Sequence, residues 1–313
     1  MKEETTTPPN MGGATAPGHK CGFAALVGGP NVGKSTLVNA LVGEKVAATS
    51  AKAQTTRDDI RAILTRDDAQ IVFIDTPGMT PPHKRHPDGS EYSTPSMPRR
   101  GRVPHHLAPS VPEADVVLWL VEASRPIGLG ERHILSLLED IKTPVILVVN
   151  KIDAVSWERL LAIIDAYRRE RDFAEIVPVS AYEGENLDEL VACVIGHLPA
   201  GPPLYDSDVL TDQRMQERIE EIIREKALHA LRDEVPHQLV VSLDVMELRD
   251  GIFCLEIFIY CPRKSHVGII IGKNGAMIKQ ISSTARYEIE RLLQARVYLR
   301  IWVKEIKALL PWS

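Results

Sequence analysis

One octapeptide constrains this chain more than anything else in it. Gly28-Gly29-Pro30-Asn31-Val32-Gly33-Lys34-Ser35 fits G-x-x-x-x-G-K-S and runs on into Thr36. The apolar run Phe23–Val27 precedes it, and Leu37, Val38, Ala40 and Leu41 begin an apolar face after it. That pattern predicts a strand, a tight glycine turn and a helix. The glycines let backbone N–H groups curl around phosphates, and the helix start adds its positive end. Lys34 can reach β- and γ-phosphates, and the Ser35 hydroxyl can ligate magnesium. An empty glycine turn has no role for the Lys-Ser pair.

Three further segments close predicted strands. Asp75-Thr76-Pro77-Gly78 ends the run Ile71–Ile74, and Asn150-Lys151-Ile152-Asp153 ends Val145–Val149. Ser180-Ala181 follows Ile176-Val177-Pro178. Ligands of open α/β sheets bind at these carboxyl ends. Asp75 would hold magnesium through water, and the Gly78 N–H would sense a γ-phosphate. Asn150 and Asp153 would specify the base, because a carboxylate accepts from guanine N1–H and the 2-amino group, which adenine cannot match. Lys151 would pack its stem along the base, and the Ser180-Ala181 backbone would touch O6. The four segments together are what a guanine-nucleotide switch needs, so GTP, GDP and Mg2+ are the expected ligands. Catalysis of phosphoryl transfer to water is then mainly positioning and charge stabilisation. Met79 stands where Ras-like enzymes carry a water-orienting Gln, so intrinsic hydrolysis is expected to be slow.

The expected fold class is an α/β P-loop NTPase domain with a mostly parallel sheet, followed by a smaller α+β domain. Strands are expected at Phe23–Val27, Asp59–Leu64, Gln70–Ile74, Val116–Val121, Val145–Val149 and Ile176–Val179. Helices are expected at Lys34–Leu41, Glu131–Ile141, Ser156–Arg171 and Leu187–Leu198. Residues 1–20 read as a disordered tail, 21–200 as the nucleotide domain and 201–210 as a linker, which Pro199-Ala200-Gly201-Pro202-Pro203 opens. The second domain, 211–313, begins with a helix capped by Thr211. Strands Leu239–Val245 and Ile252–Tyr260 follow, around Arg249-Asp250-Gly251. Gly268–Ile271 leads into Gly272-Lys273-Asn274-Gly275, an amphipathic helix and the strand Val297–Val303, in the order α-β-β-α-α-β.

Charge separates the halves. From Cys261 onward there are ten Lys/Arg and three Asp/Glu, a net of +7; the whole chain is −5, so residues 1–260 carry −12. A basic domain on an acidic chain fits an RNA backbone. No apolar run approaches the ~20 residues that span a bilayer. Residues 1–20 lack the apolar core of a secretion signal. Cys21, Cys193, Cys254 and Cys261 have no metal-ligand spacing and read as reduced packing residues. Residues Thr80–Glu113 hold eight prolines and no apolar stripe, which predicts a long loop. His83, His86, His105 and His106 within it match no common metal site.

The succession G-x-P-N-V-G-K-S-T, K-A-Q-T-T-R (Lys52–Arg57), D-T-P-G and N-K-x-D resembles the bacterial Era GTPases, a branch close to the TrmE GTPases. The α-β-β-α-α-β order with Gly272-x-x-Gly275 resembles a type II KH domain, the RNA-binding half of that family. Glycines there let a nucleic-acid backbone approach closely, and Lys273 and Asn274 would contact it. The resemblance implies that Thr55 or Thr56 closes over magnesium, with Thr56 favoured. It implies 16S rRNA and the 30S ribosomal subunit as partners, no DNA, a monomer and a cytoplasmic location. A peripheral place on the inner face of the cell membrane is a second location. TrmE-like enzymes recruit K+ through the residue equivalent to Asn31; bracing of the loop by the Asn31 side chain is the alternative. Two other functions stay open: regulation of protein or membrane partners, and an RNA-binding module that barely hydrolyses GTP.

Overall fold

A computed structural model describes residues 18–47, 60–76, 114–231 and 239–306. The first sheet contains β1 (Lys20–Gly28), β2 (Ile60–Thr65), β3 (Ala69–Asp75), β4 (Val116–Glu122), β5 (Val145–Asn150) and β6 (Glu175–Val179). Its order is β2-β3-β1-β4-β5-β6, parallel throughout except for the β2–β3 pair. Parallel strands covered on both faces need continuous apolar runs, and β3 and β5 are buried at every residue. On one face, Leu37 and Val38 of α1 (Lys34–Val42) and Leu190 and Val194 of α4 (Leu187–His197) pack with Leu26, Phe73 and Leu118. On the other, α2 (Leu129–Leu138) and α3 (Trp157–Glu170) bring Ile134, Leu138, Ile163 and Tyr167 against Trp119 and Leu147. This packing aligns the carboxyl ends of β1, β3, β5 and β6, where the four segments begin.

Some local expectations shift. β1 starts at Lys20, and the buried His19 ring bonds the Gly201 carbonyl at 2.9 Å, so residues 18–20 belong to the folded part. Residues 1–17 lie outside the described residues. Helix α2 is displaced two or three residues toward the N-terminus from its expected span. The linker segment is stitched to the sheet. Gln70, fully buried, accepts from the Leu204 and Tyr205 N–H groups at 2.7 and 2.9 Å. The Ile63 N–H donates to Leu210 O at 2.9 Å. Thr211 caps no helix: its hydroxyl donates to Arg61 O at 2.8 Å, and α5 (Met215–Ala230) starts four residues later. A β-bridge between Ala62 and Thr211 fixes the chain there, which leaves the threonine side chain for the strand edge.

The second sheet is β7 (Val240–Arg249), β8 (Ile252–Cys261) and β9 (Arg296–Glu305), in the order β7-β8-β9. Asp250 and Gly251 turn the β7–β8 hairpin at φ 48° and 77°, the double positive φ of a two-residue turn matched to strand twist. β9 runs parallel to β8. Helix α6 (Lys264–Ile271) begins four residues before the expected segment, and α7 (Ala276–Leu293) follows. Ile219 and Ile223 of α5 and Ile281, Ala285 and Ile289 of α7 cover Leu255, Ile257 and Ile259 of β8. One lysine of the first domain clasps the second: Lys45 Nζ lies 2.7 Å from both Glu225 and Glu288, and Lys226 bridges the same two carboxylates.

Candidate nucleotide and RNA sites

The phosphate loop leaves β1 at Gly28 and enters α1 through Gly33 at φ 102°. Asn31 also sits at positive φ, 64°, with an exposed side chain. Lys34 is only 7% exposed and its ammonium donates to the Gly28 and Gly29 carbonyls at 3.3 and 3.1 Å. Burial pushes its pKa down and the Asp75 charge opposes that. An incoming phosphate would therefore meet a lysine already held inside the loop and relieve its desolvation. Ser35 Oγ donates to Asp75 Oδ2 at 2.7 Å. A hydroxyl and a carboxylate side by side next to that lysine are the hard oxygen donors magnesium prefers, so the residues fit the ion. The buried Thr76 hydroxyl anchors the end of β3 by donating to Leu26 O at 2.6 Å.

At the base end, Asn150 is 2% exposed and serves as a brace. Its amide donates to Val32 O at 2.9 Å, and its Oδ1 accepts from the N–H groups of Lys151 and Ala181 at 2.8 and 3.0 Å. One side chain thus ties three segments together, a role beyond the base recognition expected of it. The Ala181 N–H is engaged with Asn150, so a guanine O6 would share it. Asp153 opens to solvent within a 3₁₀ turn, Ile152–Ala154, and accepts from Ser180 Oγ at 2.5 Å. Lys151, at φ 64°, donates to Asn31 O at 2.8 Å and pairs with Glu122 at 3.1 Å.

Glu122 and the bond from the Ser180 hydroxyl to Asp153 escape the sequence. Burial would raise the Glu122 carboxyl, but bonds from Ser124 and Lys151 outweigh it and hold the group low. Its place at the end of β4, on the same rim as the four segments, is the one signal that could have found it. Thr55, Thr56, Pro77, Gly78, Met79 and the window Thr80–Glu113 lie outside the described residues. All four cysteines are free, and burial pushes the Cys21, Cys193 and Cys261 thiols up.

In the second domain, Gly272-Lys273-Asn274-Gly275 forms the turn between α6 and α7. Gly272 has φ 75°, and a Cβ on it would lie 2.6 Å from the Met277 Cβ. Asn274 and Gly275 follow at φ 53° and 77°. The turn pushes the Lys273 and Asn274 side chains into solvent.

A mostly parallel sheet with a lysine-filled phosphate loop, a serine–aspartate pair and a carboxylate at the base end defines a P-loop GTPase domain, here joined to a KH domain. A family profile described as a 50S ribosome-binding GTPase matches residues 23–151, and a KH domain profile matches residues 234–309. The chain is 46% identical to a GTPase Era of Clostridium botulinum, over 91% of this chain and 92% of that protein. It is 44% identical to one from Thermoanaerobacter sp., covering 93% and 92%. The crystal structure of a point variant of Aquifex aeolicus Era bound to GDP.AlF4- superposes with a TM-score of 0.82 at 36% identity, over 92% of this chain and 95% of that one. An Era in complex with MgGDPNP and nucleotides 1506-1542 of 16S ribosomal RNA gives 0.82 at 35% identity, covering 93% and 95%. The chain belongs to the Era family of GTPases.

Proposed function

We propose that this chain is a GTP-binding and GTP-hydrolysing switch that binds 16S rRNA and acts in assembly of the 30S ribosomal subunit. The observation that carries the reading is the pairing of the Lys34–Ser35–Asp75 site with the exposed Gly272–Gly275 turn in one chain. The match over both domains to an Era holding MgGDPNP and 16S rRNA nucleotides supports it. We take residues 21–200, together with the folded residues 18–20 that lead into β1, as the GTPase domain, 201–210 as the linker and 211–313 as the RNA-binding domain. Cytoplasmic action follows from the same reading. Among the described residues no helix is long and apolar enough to cross a membrane, and vesicle flotation would reveal a peripheral attachment.

The loop N–H groups of residues 28–36, Pro30 excepted since it has none, would cradle the β- and γ-phosphates, and Lys34 would balance their charge. Ser35 and Asp75, with Thr56, would hold magnesium, which supplies charge neutralisation at the phosphates. Water attacks the γ-phosphorus, the bond to the β,γ-bridging oxygen breaks, and that oxygen carries the departing charge as GDP. Asp153, aimed by Ser180, selects guanine. Gly78 would feel the loss of the γ-phosphate. With Met79 in place of a Gln, water positioning needs another group, and K+ beside Asn31 is our candidate. The exposed Asn31 side chain can turn its amide oxygen toward a cation there.

The test puts Asp at both Lys273 and Asn274. RNA spanning 16S nucleotides 1506–1542 should bind at least about tenfold more weakly and lose part of its salt dependence, as phosphate contacts go. GTP affinity should hold. Parental RNA affinity in the double variant would refute this role for the turn.

A further inference from the structure

The face of the second sheet turned away from the helices carries an ordered array on its edge strand. Along β9, Val297, Leu299, Ile301 and Val303 point into the core. The alternate residues Arg296, Tyr298, Arg300, Trp302 and Lys304 are exposed on the other side, Tyr298 by 55% and Trp302 by 47%. Cation and aromatic ring therefore alternate over the whole strand. Like residues recur every four positions, about 13 Å apart at strand rise.

The neighbouring strand supports this array from the same face. Arg300 pairs with Glu256 at 2.9 Å and lies 5.7 Å from the Tyr298 ring centroid. Lys304 Nζ sits 3.9 Å from the centroid of Phe258, whose ring stacks on Tyr260 at 6.0 Å. Trp302 lies directly across from Phe258. Two broad ring faces are held up between cations, which matches unpaired bases with phosphates on either side. A partner protein would be better served by contiguous apolar surface, which the interleaved charges interrupt.

We propose that this outer face of β9 is a second RNA-contact surface, on which two unpaired bases stack against Tyr298 and Trp302 while Arg296, Arg300 and Lys304 hold the backbone. The proposal rests on the reading of this domain as RNA-binding and goes beyond it, because the Gly272–Gly275 turn belongs to the helical layer. Since α6 and α7 both pack beside β9, one RNA strand can pass the turn, cross the sheet edge and reach the outer face.

Full-length Tyr298→Ala/Trp302→Ala should bind the 16S 1506–1542 RNA about tenfold more weakly or worse, with GTP affinity and melting temperature unchanged. Tyr298→Phe/Trp302→Phe, which keeps the rings, should restore most of the loss. RNA should also quench tryptophan emission in the parent, and that component should vanish in Trp302→Phe; this readout decides the matter if the alanine variant misfolds. Parental affinity in the alanine variant, or the same quenching in Trp302→Phe, would overturn the proposal. So would loss of binding to anionic vesicles with RNA affinity intact, which would make the face a lipid contact. A weakened turn variant beside an unaffected sheet variant refutes this surface alone; the reverse refutes the turn and leaves the surface standing.

Discussion

Replacing Gly33 with alanine probes the tie between the phosphate loop and the base end. Gly33 has φ 102°, and a Cβ there would fall 2.3 Å from Asn150 Nδ2, far inside contact distance. The left-handed backbone costs an L-residue about 1–2 kcal/mol. The methyl also evicts the Asn150 amide from Val32 O, and an unsatisfied buried polar group costs about 1–3 kcal/mol. The sum, about 2–5 kcal/mol, corresponds to a fall in melting temperature of roughly 4–20 °C for a domain of this size. Asn150→Ala alone is destabilising too, since Lys151 and Ala181 lose their acceptor. In the double variant the vacated space takes the methyl, so its loss should fall short of the sum by about 1–3 kcal/mol. Urea unfolding of the nucleotide-free parent, both singles and the double measures this. Strict additivity would show that the collision with Asn150 is not what makes Gly33 necessary.

Asp153→Asn should move preference from guanosine to xanthosine nucleotides, and Ser180→Ala should weaken GTP roughly fivefold by freeing the carboxylate, a loss of about 1 kcal/mol; competition binding reads both, and unchanged GTP affinity in Asp153→Asn removes it from the base site. Hydrolysis should be faster in K+ than in Na+ at equal ionic strength, and Asn31→Ala should abolish the difference while GTP still binds; equal rates in the two salts would end the potassium proposal. Burial alone would raise the Glu288 carboxyl, but hydrogen bonds from Lys226 and Lys45 outweigh it and bring it below its ordinary 4.5. Its folded value thus lies below the unfolded one, so its stabilisation is complete above about pH 4.5 and is lost as acid takes the pH lower. Glu288→Gln should flatten that part of the stability–pH curve, and superimposable curves for parent and variant would contradict the clasp.

Much of the fold is legible in local patterns. The unbroken apolar runs at Ile71–Ile74 and Val145–Val149 announce strands covered on both faces, and β3 and β5 are just that. Asp250-Gly251 announces its hairpin because few residue pairs accept two positive φ values. Thr211 misleads, since a good capping residue next to a helical pattern says nothing of a strand edge 150 residues earlier that takes its hydroxyl. Likewise the proline-rich opening reads only as an interdomain linker, whereas Gln70, reached only through the fold, fastens Leu204 and Tyr205 to the sheet.

By itself the sequence determines the chemistry on offer: a phosphate loop with its lysine and serine, a carboxylate for guanine, and a glycine-flanked turn on a basic domain. These need only residue type and short spacing, because a few consecutive residues set the backbone that presents them. Tertiary structure alone decides who meets whom. It brings Asn150 to Val32 across 118 positions, Lys151 to Glu122 at the rim, and Lys45 between Glu225 and Glu288. It also turns the alternating rings and cations of β9 onto one open face. Such partnerships depend on how strands order and helices stack, and no short stretch of chain carries that information.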